Sequence, residues 1–410
     1  MREGGLRIEE IRLRIIFNHR GEKTVEAEVL VGGYMGRAAA PSGASRGSHE
    51  VPAYPERGPD ALLGELPRLR GRLVGRDALD QRGLAEELEA LGLRSGALAY
   101  ALTMAAADAA SKALGRPLYQ LLSGGAQARL PLPLGNVIGG GKHASASRLD
   151  LQEVLVAPQG AQDMRRAIGL LFAAHERVGQ ELAKRDRCFT GGRGDEGAWT
   201  TSLGSREALE VARRAADRLK DELGEELLLG ADFAGSSLWD PVRGRYVYAR
   251  EGRSLTPEEQ LNYVLELAEE YGLRYLEDPF HDEDWERFAA LKRALPRALV
   301  CGDDLTATQP ERLLRALREG AIGAAILKVN QVGYLYRALK FAELAQRHGL
   351  TLVASHRSGE LPEAHLAHLA VATGSSFIKA GILGGERVAK LNELIRLEEA
   401  HGLALARVMA

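Results

Sequence analysis

From about residue 225 onward the chain repeats one unit six times: a short apolar run, a chemically potent group at its end, and an amphipathic stretch. The runs Glu225 to Ala231, Leu273 to Leu276, Ala298 to Cys301, Ala324 to Leu327, Leu350 to Ala354 and Ser376 to Ile378 read as strands. Helical patterns begin after Thr256 and at Asp284, Gln309, Tyr334, Leu361 and Glu386. Strands alternating with helices predict a parallel sheet, either closed or doubly wound. The strand ends decide between these. Asp232, Glu277 with Asp278, Asp303 with Asp304, Lys328, His356 with Arg357, and Lys379 each follow one run directly. In a closed barrel all such ends meet at one mouth. A doubly wound sheet joins only those near its switch point. Six loaded ends in succession predict a β/α barrel.

The first part of the chain has another rhythm. Leu6 to Phe17 and Thr24 to Val31 alternate apolar and polar residues around a turn at Arg20-Gly21, which predicts paired strands. Pro41 to Gly47 is a loop of small residues, and helical patterns run from about Arg82 to Leu122. Ala97 to Ala110 is apolar but short, and it carries Asp108, so it reads as a buried helix rather than a membrane span. Ser123-Gly124-Gly125 reads as a linker, with Pro131 and Pro133 delaying the next element. The expected division is an α+β domain over 1–128 and a barrel over 129–410, which suits a chain of 410 residues.

Composition excludes several functions. A formal net charge of -2 gives no general attraction to nucleic acid. With no membrane span and no signal-peptide core, a cytoplasmic protein is expected. Cys188 and Cys301 are the only cysteines, so there is neither a disulfide framework nor a CxxC site. Asn is confined to five positions, a scarcity that fits a heat-adapted chain, while abundant Arg and Ala fit a GC-rich genome equally well.

Asp232, Glu277 and Asp303 would bring three carboxylates to one mouth, where they repel unless a cation is present. An all-oxygen donor set without thiolate selects Mg²⁺ or a similar ion. Lys328 and Lys379 share the mouth, and a Lys near other cations has its ammonium form disfavoured, which makes it a candidate base. Other features carry less. Gly135 to Lys142 imitates a phosphate-binding loop, but Asn136 occupies a required Gly position and His143 the Ser/Thr position. His365 and His368 lack the Glu of a zinc HExxH and read as ordinary helix residues. Ser355 and Ser358 have no GxSxG elbow around them.

Several blocks together resemble the enolase family. They are Pro41-Ser42-Gly43-Ala44-Ser45, Leu151-Gln152-Glu153, Gly194-Asp195-Glu196-Gly197, Tyr275-Leu276-Glu277-Asp278-Pro279-Phe280, Gly302-Asp303-Asp304-Leu305-Thr306, Leu327-Lys328-Val329-Asn330-Gln331, Ser355-His356-Arg357-Ser358-Gly359-Glu360 and Phe377-Ile378-Lys379. They stand in family order and span nearly the whole chain, as in a divergent, archaeal or thermophilic member. The resemblance implies an N-terminal α+β domain and a C-terminal enolase-type barrel with an antiparallel start. It implies Mg²⁺-dependent interconversion of 2-phosphoglycerate with phosphoenolpyruvate and water, two Mg²⁺ per active site, a phosphorylated hydroxy acid as substrate, and assembly as homodimers or larger rings. It makes Asp232, Glu277 and Asp303 ligands of the first ion and Ser45 of the second. It makes Lys328 the base at C2 and Glu196 the acid for the departing hydroxyl, aided by Glu153. Lys379 would hold the substrate carboxylate, Arg357 and Ser358 the phosphate, and His356 would lie beside the leaving hydroxyl. His143, on a lid loop, and Gln152 would complete the substrate contacts. Desolvation in a Gly-rich loop is expected to keep Glu196 protonated.

The departures from the family pattern cluster in lids and supports. Arg46 replaces the usual Thr after Ser45, and Gly139-Gly140-Gly141-Lys142 replaces Asn-Gly-Gly before His143. Ala198-Trp199 follows the Glu196 block, Asn18-His19-Arg20 replaces Asp-Ser-Arg, and the run from Ala380 to Arg387 is shortened by one Arg. These changes leave two other readings open: a related lyase with an altered acid substrate, and a non-catalytic paralogue.

Overall fold

The computed structural model describes residues 6–43, 47–124 and 128–408. Ser45, Arg46 and the linker residue Gly125 lie outside the described residues.

The alternating N-terminal segments form antiparallel strands β1 (Ile8–Phe17) and β2 (Lys23–Val31), with Leu13 opposite Ala27 and Ile11 opposite Val29. A third strand, β3 (Tyr34–Ala39), was not anticipated. It returns through Gly32-Gly33, both at positive φ (58° and 79°), the conformation that a two-residue hairpin turn needs. The long helix Gly96–Leu114 lies directly on this sheet. A Cβ on Gly36 would stand 2.1 Å from the Ala105 carbonyl, so glycine is required where helix backbone meets strand backbone. Alanines at 97, 101, 105 and 109 allow that approach, Ser95 caps the helix start, and Gly115 in the left-handed region ends it.

The C-terminal strands close into a barrel. They are β4 (Leu132–Gly139), β5 (Glu153–Gln159), β6 (Glu226–Asp232), β10 (Leu273–Glu277), β11 (Leu299–Gly302), β12 (Ala324–Leu327), β13 (Thr351–Ser355) and β14 (Phe377–Lys379), in that order around the ring. Strands β7 (Trp239–Asp240), β8 (Arg245–Tyr248) and β9 (Arg253–Leu255) form a small separate sheet between β6 and β10. Neighbours are parallel except at β5, which runs antiparallel to both β4 and β6. The expected antiparallel start is therefore present.

Two expectations need correction. Pro133 does not delay β4; it sits within it, opposite Ile378. The Leu132 amide bonds toward β14, at Ser376, so the donor that Pro133 lacks would face β5, whose pairing begins only at Gly135. The helix expected from Leu361 starts at His365, because Pro362 pushes Leu361 out of helical conformation.

Period-two alternation builds the mouth. Inward residues form an apolar floor that includes Leu228, Tyr275, Cys301, Ile326, Val353 and Phe377. Two residues further along the same face come Glu277 after Tyr275, Asp303 after Cys301, Lys328 after Ile326, Ser355 after Val353 and Lys379 after Phe377. Each of these five strands thus supplies one apolar layer and then one polar group above it. The N-terminal domain reaches over this mouth: Ser42 and Gly359 exchange backbone hydrogen bonds of 2.8 and 2.7 Å, and Val51 N–H donates to Gln331 O.

Candidate active site

At the mouth the charges interlock. Lys379 Nζ lies 2.8 Å from Glu277 Oε1, 3.1 Å from Asp232 Oδ2 and 2.9 Å from Glu153 Oε2, and all four side chains are buried. Glu153 belongs to this group because β5 runs backwards: its first residue, rather than its last, faces the mouth, paired with Asp232 and Gly139. Tyr275 OH donates to Glu277 at 2.7 Å, and Gln152 Nε2 donates to Asp232 at 3.2 Å. Burial alone would lower Lys379, but Asp232, Glu153 and Glu277 outweigh it and hold the ammonium well above its ordinary range. Burial pushes Glu277 well up.

Asp303 stands apart from that group. It pairs with Lys328 and accepts from Gln331 Nε2 at 2.9 Å. Asp278, at φ 39°, supports it by accepting the amides of Asp303 (2.9 Å) and Asp304 (2.6 Å). Among the described residues, two sets bring three potential ligand atoms within 4.8 Å of one another: Asp278, Asp303, Asp304, and His143, Glu153, Glu196. Asp232, Glu277 and Asp303 do not form such a set; Lys379 joins Asp232 to Glu277, and Lys328 pairs with Asp303. The expectation that Lys328 has its ammonium disfavoured is corrected here. Burial lowers it, but the Asp303 carboxylate prevails and raises it above the ordinary Lys range.

A second cluster gathers round Glu196. Its Oε1 is 3.1 Å from His356 Nε2 and 3.5 Å from His143 Nδ1, and its Oε2 accepts from Asn136 Nδ2 at 3.2 Å. His143 Nδ1 also lies 3.0 Å from Glu153 Oε1. These surroundings reverse the expectation of a protonated Glu196. Burial would raise it, but the contact with His356 and the charges of His143 and Arg387 hold it well below the carboxylate range, whereas burial and the Glu196 charge raise Glu153. The loop is fixed from both sides. A Cβ on Gly197, at φ 79°, would meet Leu383 O at 2.5 Å, and its carbonyl accepts from His175 Nε2 at 2.9 Å. His175 stacks on Trp199 with centroids 4.5 Å apart, giving the residue that departs from the family pattern a supporting part.

Arg357 completes the mouth. Its Nη2 lies 3.1 and 2.9 Å from the two Glu50 oxygens, its Nη1 donates to Asn330 Oδ1, and Ser358 is buried beside it. The expected residues Glu153, Glu196, Asp232, Glu277, Asp303, Lys328, Lys379, His143, Gln152, His356, Arg357 and Ser358 all line one small pocket or bond directly to its walls. Glu50, Asn136, Gln331 and Arg387 were missed as site residues. Asn136 was visible as one of five asparagines, and Gln331 and Arg387 stood inside blocks already singled out. Glu50 lies in a stretch with no distinctive pattern. The imitation phosphate loop is strand β4, and Cys301 is a buried barrel-floor residue.

Two family models match in tandem: "Enolase, N-terminal domain" over residues 8–122 and "Enolase, C-terminal TIM barrel domain" over residues 127–406. A protein named enolase from Methanothermobacter thermautotrophicus is 42% identical over 403 residues, covering 96% of each chain. One from Pyrobaculum aerophilum is 43% identical over 410 residues, covering 97% of each. One from Natronomonas pharaonis is 45% identical over 405 residues, covering 95% of this chain and 98% of its own.

Proposed function

We propose that this chain, which belongs to the enolase family, interconverts 2-phospho-D-glycerate with phosphoenolpyruvate and water. The observation that carries the reading is the coexistence, in one buried mouth, of two lysines among carboxylates and a separate His–Glu cluster. Such a site has one group to take a proton from carbon and another to give one to oxygen.

Arg357 and Ser358 bind the phosphate, for which a planar guanidinium is well shaped. Lys379 binds the carboxylate, where negative charge builds as the C2 proton leaves. Lys328 takes that proton on Nζ. The electron pair forms the C2–C3 double bond, and the C3 hydroxyl departs as water with a proton from the Glu196–Glu153 pair. Glu196 is held low and Glu153 is raised, so Glu153 is the weaker acid of the two, and His143 Nδ1 lies within 3.5 Å of both. His356 and Gln152 orient these groups. Lys328 becomes a base only once its pair with Asp303 is relieved.

The donor set suits Mg²⁺: Asp232, Glu277 and Asp303 are buried carboxylates on the adjoining strands β6, β10 and β11, or directly after them, with no sulfur ligand among them. These three would hold one ion and Ser45 a second. The ions supply positive charge where the substrate carboxylate becomes a dianion. In this reading residues 129–410 carry the chemistry and residues 1–128 cover it. The protein works in the cytoplasm as a homodimer or larger ring; among the described residues no helix is long and apolar enough to cross a membrane. The full-length relatives favour this activity over an altered substrate or a non-catalytic role.

The test is ultraviolet absorbance of the enol product from 2-phosphoglycerate. Turnover should require Mg²⁺, vanish in EDTA and return on Mg²⁺ addition. Full activity in metal-free buffer would overturn the assigned site, and no turnover at any metal concentration would overturn the function.

A further inference from the structure

We propose that Arg387 is a positioning residue that fixes His356 as the neutral tautomer with its hydrogen on Nε2, the nitrogen nearer Glu196. The consequence for turnover rests on the function proposed above; the tautomer itself does not.

Arg387 stands in the first turn of the helix Gly385–His401 and has no solvent exposure. Its Nη1 lies 2.5 Å from His356 Nδ1 and donates to the Arg357 carbonyl at 2.8 Å. Its Nη2 donates to the Ser358 carbonyl at 2.6 Å and the Asp195 carbonyl at 3.0 Å. One guanidinium therefore ties the segment of His356, Arg357 and Ser358 to the loop that carries Glu196. Gly381, at φ 71°, lets the pieces close up: a Cβ there would stand 3.0 Å from Arg387 Cδ, 3.0 Å from Glu196 O and 3.2 Å from His356 Cε1.

The chemistry follows from what each group can donate. A guanidinium has only N–H donors and stays charged in proteins. Facing Arg387, His356 Nδ1 can only present a lone pair. An imidazolium would set N–H against N–H and place two cations in contact without solvent. The neutral ring must then carry its hydrogen on Nε2, which lies 3.1 Å from Glu196 Oε1. Burial, with the Arg387 charge, pushes His356 down to about 4 despite the opposing charge of Glu196, in accord with a neutral ring. His356 thus keeps its hydrogen on Nε2, free to be donated, and the proton for the leaving hydroxyl comes from the carboxyl pair. Arg387 Nε lies 3.3 Å from Glu386 Oε1, so its two Nη atoms are left for His356 and the three carbonyls, whereas Arg357 turns Nη2 to the Glu50 carboxylate.

The experiment is nitrogen NMR of protein labelled with ¹⁵N-histidine, the His356 signals being assigned by their loss in His356→Gln. At neutral pH, His356 should show a pyrrole-type Nε2 and a pyridine-type Nδ1. Arg387→Met should mix the tautomers or protonate the ring, and Arg387→Lys, which keeps a donor, should restore the pattern. In turnover, Arg387→Met should cut dehydration at least about tenfold while exchange of the C2 proton with solvent changes less than about twofold. A wild-type His356 with its hydrogen on Nδ1, or as imidazolium, would overturn the proposal even if no variant folded. So would an Arg387→Met spectrum identical to wild type, or equal losses of exchange and dehydration. Should the wild type not turn over 2-phosphoglycerate, the function fails while the tautomer assignment still stands or falls on the spectrum.

Discussion

Replacing Lys379 by Met removes the ammonium that lies within 3.1 Å of three buried carboxylates, those of Asp232, Glu277 and Glu153. Met keeps the length of the stem, so packing changes little and the loss is that of the charge. Deleting one partner of a buried ion pair costs about 3–5 kcal/mol, because the remaining charge is left uncompensated. Unfolding entropy of roughly 2.1 cal/mol/K per residue gives about 0.9 kcal/mol/K for a chain of 410 residues. The expected drop in Tm, measured by scanning calorimetry in EDTA, is therefore about 3–6 °C. Two further changes separate this cause from general damage. Burial raises Glu277 and Glu153 above their unfolded values, so the deficit should shrink as pH falls from 7 toward 5 and these two protonate. It should also shrink in saturating Mg²⁺, since a ligand that binds only the folded state at about 100 times its Kd adds roughly 2.7 kcal/mol. A variant that melts within 1 °C of the wild type in EDTA, or whose deficit is the same at pH 5 and in Mg²⁺, would refute the reasoning.

Other variants separate the remaining roles. Lys328→Ala should abolish exchange of the C2 proton with solvent, followed by deuterium loss; exchange at the normal rate would place the base elsewhere. Glu196→Gln should impair dehydration by about a hundredfold or more while leaving part of that exchange, as read by the two rates in one sample. Glu360 is buried, and Lys390 and Arg387 bring it to about 2 against the desolvation that would raise it. A depressed carboxylate stabilises the fold above its unfolded pKa near 4.3 and stops doing so as pH falls toward 2, so Glu360→Gln should cost about 3 kcal/mol at pH 7 in a urea titration and almost nothing near pH 2. Gly197→Ala should destabilise by about 1–3 kcal/mol and slow dehydration, since its Cβ meets Leu383 O at 2.5 Å and its φ is 79°; an unperturbed Tm would show that the loop can shift.

The parallel half of the barrel was legible because each strand announces itself twice, by an apolar run and by a charged residue at its end. Ala324 to Leu327 and then Lys328 is such a case, and the strand has those limits. Strands β4 and β5 were not legible in this way. β4 contains Pro133 and two glycines, and β5 runs in reverse, so its potent residue, Glu153, comes first. No rule that looks at strand ends finds Glu153 or Gln152; only the resemblance to a family did. Charge states were less legible still. That Lys328 sits near other cations was a fair inference, but its nearest neighbour is the Asp303 carboxylate, which reverses the shift. Glu196 in a glycine-rich loop suggested simple desolvation, and two histidines and Arg387, distant in sequence, outweigh it. Burial can be guessed from local pattern, whereas the sign of a pKa shift depends on partners that only the fold brings together.

The interlocked charges have a consequence for how the site works. Lys328 is held by Asp303, Lys379 by Asp232, Glu277 and Glu153, and Arg357 by Glu50. In the proposed reaction every one of these cations must serve a different partner: Lys328 a carbon acid, Lys379 a carboxylate of the substrate, Arg357 its phosphate. The carboxylates released by that exchange cannot remain buried and unpaired, since each would cost several kcal/mol. Divalent cations and an anionic substrate together supply what either alone leaves unmatched: the former pair with the freed acids, the latter with the freed bases. Binding of the two is therefore favourable in each other's presence, and by linkage the factor by which one tightens the other is the same in both directions. The lysines and carboxylates that look like a set of structural ion pairs are the resting arrangement of a site whose partners are exchanged as a group.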